Sequence, residues 1–121
     1  MSAEVMTPVM TPEVLNGVAE YFKVLSEPSR LQILCELRSG PKNVTEILEA
    51  TGLGQANVSK HLKILAQAGI VSRHPKGVSV YYQIANPTCF QLCEAVCNLL
   101  VERLQQQARQ LEPLAAGKGW F

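Results

Sequence analysis

TGLGQANVSKHLKILAQAGIV, residues 51–71, is the stretch on which the fold turns. Gly52 and Gly54 punctuate a short turn, and Gly54 can cap the next helix, though less well than serine would. From Gln55 to Gln67 the residues read as a helix of about four turns. Val58, Leu62 and Leu65 recur at i, i+4 and i+7 and pin one face to a core. Gly69 closes the helix. At about 100° per residue, Ala56, Ser59, Lys60 and Lys63 fall on the opposite side. That side carries small and cationic residues and no acid.

Upstream, NVTEILEATG is expected to be a helix. Asn43 can cap it, and Glu46 three residues on completes a capping box. Before it, SEPSRLQILCELRSG has Pro28 suited to a first turn and Gly40 suited to a stop, with Leu31, Leu34 and Leu37 on the buried side and Cys35 beside it. Glu13 to Leu25 carries a helical apolar stripe of Val14, Leu15, Val18, Phe22 and Leu25. Downstream of Gly69 the period changes. IVSRH and VSVYYQI are β-branched and aromatic, with Val78, Val80, Tyr82 and Ile84 alternating, and PKG between them signals a turn. Asn86-Pro87 then starts a long helix, as N-cap and first position, running through about Leu111. The expected fold is mainly α with a small β-hairpin: a winged helix-turn-helix, dimeric. Residues 1–11 read as a flexible arm, 12–111 as the domain with terminal dimerisation helices, and 112–121 as a flexible tail.

The chain of 121 residues fits one domain with a small but real core. No apolar run approaches the roughly 18 to 20 residues of a membrane span. The N-terminus has no basic flank before an apolar stretch, so no signal peptide is expected and the cytoplasm is the expected location. Net charge is +1. Its distribution is uneven: from Ala50 to Cys93 there is no Asp or Glu, and Lys60, Lys63, Arg73 and Lys76 give +4 against −3 elsewhere. Such asymmetry suits a surface that meets a polyanion.

Two helices joined by a tight turn and followed by a hairpin make a DNA-reading arrangement. Small residues let the second helix approach the floor of the major groove. Lysines can meet phosphates or guanine, and Gln55 can pair with adenine. The expected DNA-binding residues are Gln55, Ala56, Asn57, Ser59, Lys60, His61 and Lys63 on the helix, with Lys76 and Gly77 at the hairpin tip. The alternative for Lys60 and Lys63 is a solvated face. His61 lies at the border of the core, where a structural hydrogen bond competes with a DNA contact. Arg73 and His74 are either strand-edge groups or backbone contacts. An enzyme is disfavoured: there is no Asp, no Cys-x-x-Cys and no nucleotide loop. A dimeric adaptor that had lost DNA binding would be expected to have an acidic or apolar recognition face.

VLSEPSRLQILCEL, GQANVSKHLKILAQAGIV and KGVSVYYQI together resemble the ArsR/SmtB family of bacterial winged-helix repressors, over roughly Val18 to Val101. The resemblance implies a homodimer on a palindromic double-stranded operator, joined through its terminal helices and released from DNA by an inducer. Gly54 departs from the family, which often has a capping serine there.

The family's inducer sites differ. Its arsenic and cadmium type has a Cys-x-Cys pair entering the first helix of the helix-turn-helix, and GPKNVTEI has no cysteine. Its zinc type has His and Asp ligands on the last helix, and Asn86 to Leu104 has neither. ILCEL with a cysteine on the last helix resembles BigR/SqrR-type persulfide and redox sensors. That likeness implies a thiol sensor made of Cys35 with Cys97 or Cys93, and no required cofactor. Two alternatives stand beside it. Cys89, Cys93 and Cys97 could bind arsenite or a soft metal ion as thiolates, or the cysteines could pack as small apolar residues.

Overall fold

The computed structural model describes residues 9–115, with side chains to residue 113. The part of the expected arm before residue 9 and of the expected tail after residue 115 lies outside the described residues. By internal contacts the chain divides into a unit ending at Asn86 and a second beginning at Pro87.

In the first unit, α1 (Pro12–Leu25) starts at Thr11, whose side chain accepts a hydrogen bond from the Val14 N–H. α2 (Pro28–Leu37) is capped by Glu27, whose carboxylate accepts from the Ser29 N–H. β1 (Lys42–Asn43) leads into α3 (Val44–Thr51), then α4 (Gln55–Gln67), β2 (Val71–Lys76) and β3 (Ser79–Ile84). The capping box forms as expected: Asn43 accepts from the Glu46 N–H and Glu46 accepts from the Asn43 N–H, both at 2.9 Å.

The core of this unit is Leu25, Ile33, Leu34, Leu37, Ile47, Val58, Leu62, Leu65, Ile70 and Val71. Val58, Leu62 and Leu65 are therefore the inward stripe of α4. On α2 the expectation needs correction: Ile33 is fully buried and Leu31 only half-buried. Residues 33, 34 and 37 fall on the side of this short helix that meets α3 and α4.

The sheet is antiparallel, with strand order β1-β3-β2. β1 is not among the expected elements. It is two residues long, too short for any periodicity, and its partners Tyr81 and Tyr82 lie about forty residues away. The turn is also one step later than PKG implies. Pro75 and Lys76 continue β2, paired with Val80 and Ser79, and Gly77-Val78 makes the two-residue connection. Gly77 has φ of 64° and no non-glycine residue among the described residues has positive φ, which fits a turn needing glycine at its first central position only. Pro75 is tolerated because β2 is an edge strand. Val78, expected in the strand, sits fully exposed at the tip.

Among the described residues the second unit is one helix, α5 (Thr88–Ala115). It begins one residue after Pro87, whose carbonyl accepts from the Phe90 N–H. It passes the expected end at Leu111 and contains Pro113, so residues 112–115 are helical and not tail. A proline removes one backbone bond and clashes one turn back, yet the helix continues past Pro113 to Ala115, the last described residue.

α1 exposes Val14, Leu15, Val18 and Phe22. α5 exposes Val96, Leu99, Leu100, Val101 and Leu104. Each is an apolar stripe of a length that single exposed residues do not produce. No described helix is long and apolar enough to cross a membrane.

Candidate nucleic-acid interface

The turn between α3 and α4 is built by local chemistry. Gly52 ends α3 in the left-handed region, φ 73°, and its N–H donates to the Leu48 carbonyl at 2.9 Å. Thr51 turns its hydroxyl back to the Ile47 carbonyl at 2.7 Å, and that hydroxyl accepts from the Leu53 N–H. Gln32 of α2 donates to the Thr51 carbonyl at 3.1 Å, tying the turn to the preceding helix. Gly54 then caps α4 without a side-chain bond.

α4 presents what the sequence places on its outer side. Gln55, Ala56, Asn57, Ser59, Lys60 and Lys63 are all exposed. Between them, Val58, Leu62 and Leu65 are fully buried and hold the helix by its inner face. A helix gripped on one side, with short side chains on the other, is suited to enter a major groove. The hairpin β2–β3 supplies a second exposed element. Lys76 ends β2 beside Gly77, and its ammonium sits over the Tyr81 ring. Arg73 and His74 are exposed on β2, and His74 Nε2 lies 2.8 Å from the Ser72 hydroxyl.

His61 does not share that outer face. It is 8% exposed, and its Nδ1 lies 3.3 Å from Nη1 of Arg30 on α2. Its place one turn before Leu65 and beside Leu62 directs it inward, so of the two alternatives the geometry favours the structural hydrogen bond. Burial, and then the Arg30 charge, hold its pKa below the ordinary histidine value; Lys60 adds to this and Glu27 opposes it. The Glu27 carboxyl is also held low, first by the Ser29 N–H and further by His61 and Arg30. Sequence reasoning misses this cluster. Arg30 and His61 are 31 residues apart, and no local pattern links them.

The thiols differ in access. Cys35 on α2 and Cys97 on α5 are exposed, Cys93 is half-buried and Cys89 is buried. Among the described residues no three Cys, His, Asp or Glu side chains are grouped so as to hold a metal ion. For Cys89, Cys93 and Cys97 the reason is helical rise: eight residues span about 12 Å, too far for one ion to bridge within a single straight helix.

The model of the bacterial regulatory protein, arsR family, matches residues 27–73, from the cap of α2 into β2. The transcriptional regulator Rv0081 of Mycobacterium tuberculosis is 35% identical over 100 residues, covering 82% of this chain and 88% of that protein. Its crystal structure superposes with a TM-score of 0.72 at 30% identity, over 81% of this chain and 99% of that one. The homodimeric winged helix-turn-helix domain Mb0332 of Mycobacterium bovis, described as a possible ArsR-family regulator, gives a TM-score of 0.68 at 33% identity, over 78% and 87%. The repressor BigR of Xylella fastidiosa gives 0.64 at 32% identity, over 74% and 96%. Helix-turn-helix, hairpin and sequence thus agree, and the chain belongs to the ArsR family of bacterial regulatory proteins.

Proposed function

We propose that the protein is a homodimeric transcriptional repressor that binds a palindromic operator and is switched by cysteine chemistry. The observation that carries the DNA reading is the acid-free outer face of α4, exposed from Gln55 to Lys63 while the helix is gripped from behind. Gln55 and Asn57 read base edges, Lys60 and Lys63 meet phosphates, Ala56 and Ser59 allow close approach, and Lys76-Gly77 reach the backbone beside the groove. The apolar stripes on α1 and on α5 support a dimer, as does the likeness to a homodimeric domain. Two-fold symmetry then places two half-sites about one helical turn of DNA apart, or a multiple of it.

The switch rests on Cys35 and Cys97, the exposed thiols, with Cys93 as the other candidate partner. One thiolate attacks a sulfane sulfur of an inorganic polysulfide, gaining one sulfur as a persulfide and releasing a polysulfide one atom shorter. The second thiolate attacks the inner sulfur, closes a disulfide and expels hydrosulfide. The two thiols are oxidised and the sulfane sulfur is reduced, so no metal or cofactor is needed. The likeness to BigR, a repressor, supports the transcriptional half of this reading.

The test is selection of duplexes from a random-sequence pool by the reduced protein, followed by binding before and after polysulfide treatment. A symmetric selected site that is released by polysulfide and rebound after thiol reductant is expected. No sequence preference at all would remove the repressor reading. Release by arsenite alone would replace the dithiol switch with soft-ion binding.

A further inference from the structure

Arg30 holds three elements at once. Its Nε donates to the Val24 carbonyl at 2.6 Å and its Nη2 reaches the Lys23 carbonyl at 3.4 Å, both at the C-terminal end of α1. Its own backbone is in the first turn of α2. Its Nη1 lies 3.3 Å from His61 Nδ1, in the middle of α4. A guanidinium has only donors, so Nδ1 must accept, and the ring must be neutral with its proton on Nε2. Replacing either group therefore changes how α1 is tied to the helix that carries the exposed face.

We propose that Arg30 is a positioning residue for DNA binding, which fixes α4 against the end of α1 through neutral His61, and that protonating His61 breaks this tie and weakens binding to DNA. The proposal rests on the reading that α4 meets DNA. A proton taken from solvent onto Nδ1 turns the acceptor into a donor facing a cation. The bond is lost, two positive groups are left in contact at a nearly buried place, and α4 must shift to separate them. The charged groups acting on the ring are Arg30 and Glu27 from the start of α2 and Lys60 from its own helix; α1 supplies the carbonyls that hold Arg30, and its Glu20 and Tyr21 line the cleft against Ile64, one turn on from the ring. Glu27 attracts the imidazolium, while burial, Arg30 and Lys60 oppose it. The sign is distinctive. A histidine touching phosphate binds DNA more tightly as acid is added, because the phosphate stabilises its charge. A histidine that must stay neutral to hold Arg30 does the reverse.

The test uses the full chain, kept reduced, on a duplex it has selected from a random-sequence pool, in a His74→Gln background that removes the other histidine. Affinity is followed from about pH 7.5 to about pH 5.5, the range in which histidine titrates. A several-fold loss toward acid is expected, with the helical circular dichroism unchanged. His61→Asn places an amide oxygen where Nδ1 was and cannot titrate; it should bind with a flat pH profile. Arg30→Lys keeps the cation but cannot serve both carbonyls and the ring. It should bind more weakly at neutral pH and lose most of the acid response. Nitrogen chemical shifts of the parent's histidines require no variant, and should show His61 as the neutral Nε2–H tautomer at neutral pH. Unchanged or tighter binding in acid, an acid response retained in His61→Asn, or an Nδ1–H tautomer would each overturn the proposal. Lys63→Ala is measured alongside. If it binds as the parent does, α4 is not at the DNA and both readings fall. If it binds more weakly while the parent ignores acid, the Arg30 proposal falls alone.

Discussion

The ammonium of Lys76 lies 5.9 Å from the centroid of the Tyr81 ring. Lys76 is paired with Ser79 and Tyr81 with His74, so the two are diagonal neighbours on one face of the hairpin. The ring restrains an exposed cation close to the turn. Lys76→Ala is expected to weaken binding to all duplexes alike and to lower the salt slope by about one. Tyr81→Leu should have the same sense and a smaller size, since the charge stays and only its restraint goes. Titration of binding against salt for both variants checks this, and an unchanged slope in Lys76→Ala would take the hairpin tip out of the interface.

On α4 two variants should behave differently. Lys63→Ala should lower affinity without regard to sequence. Gln55→Ala should cost roughly 1 to 3 kcal/mol at the preferred base and relax the preference there. Competition between selected and scrambled duplexes separates the two patterns.

The same helix is legible in sequence because its two faces are written at one period. Val58, Leu62 and Leu65 on one side and Ser59, Lys60 and Lys63 on the other need only local geometry. The capping box at Asn43 is local too, and so is the existence of the hairpin, although its turn falls one step later than PKG implies. What cannot be read depends on distance along the chain. β1 exists because Tyr81 and Tyr82 offer an edge to Lys42 and Asn43. His61 is ambiguous in sequence because its direction lies at the core border, and Arg30, which decides it, sits on another helix. The cysteine stripe is legible in the spacing, but four-residue steps also move along the axis, so Cys89, Cys93 and Cys97 do not converge within this single helix.

For the thiols, Cys35→Ser should remain on DNA after polysulfide treatment. Whichever of Cys97→Ser and Cys93→Ser does the same identifies the partner. Buried Cys89 should be the slowest of the four to react with an alkylating reagent in the native protein. The soft-ion alternative predicts that Cys35→Ser still responds to arsenite and Cys93→Ser does not. If all four serine variants respond like the parent to every reagent, the inducer acts elsewhere.

Stability should fall on the acid side in two windows. His61 has a folded pKa below the ordinary histidine value, so the unfolded chain takes up the proton first. Its contribution is fully present above the unfolded pKa of about 6.5 and is lost as pH falls from there toward the folded value. Glu27, also lowered, contributes above its unfolded pKa and is lost at lower pH, as its carboxylate is protonated. Urea unfolding across pH should show the upper window in the parent and not in His61→Asn.

Asn43→Ala should cost about 1 kcal/mol from the helix cap alone, and Leu62→Ala, fully buried, about 2 to 5 kcal/mol. Chemical denaturation measures both. Equal small losses would mean that α4 is held less tightly than its burial implies.

Asn43 closes β1 against Tyr81 and, in the same residue, opens α3. The hairpin and the helix-turn-helix therefore share a rivet. One residue inserted between the strand and the cap would leave Asn43 able to keep its sheet partner or its helix, and not both. The two proposed reading elements cannot be re-spaced independently by changing this junction, and on that proposal a duplex with a different separation between groove and flanking phosphates calls for a longer hairpin tip, beyond Lys76 and Ser79, where the strands have no third neighbour. Variation in reach is thus confined to the free end of the lever, and its hinge is fixed in length.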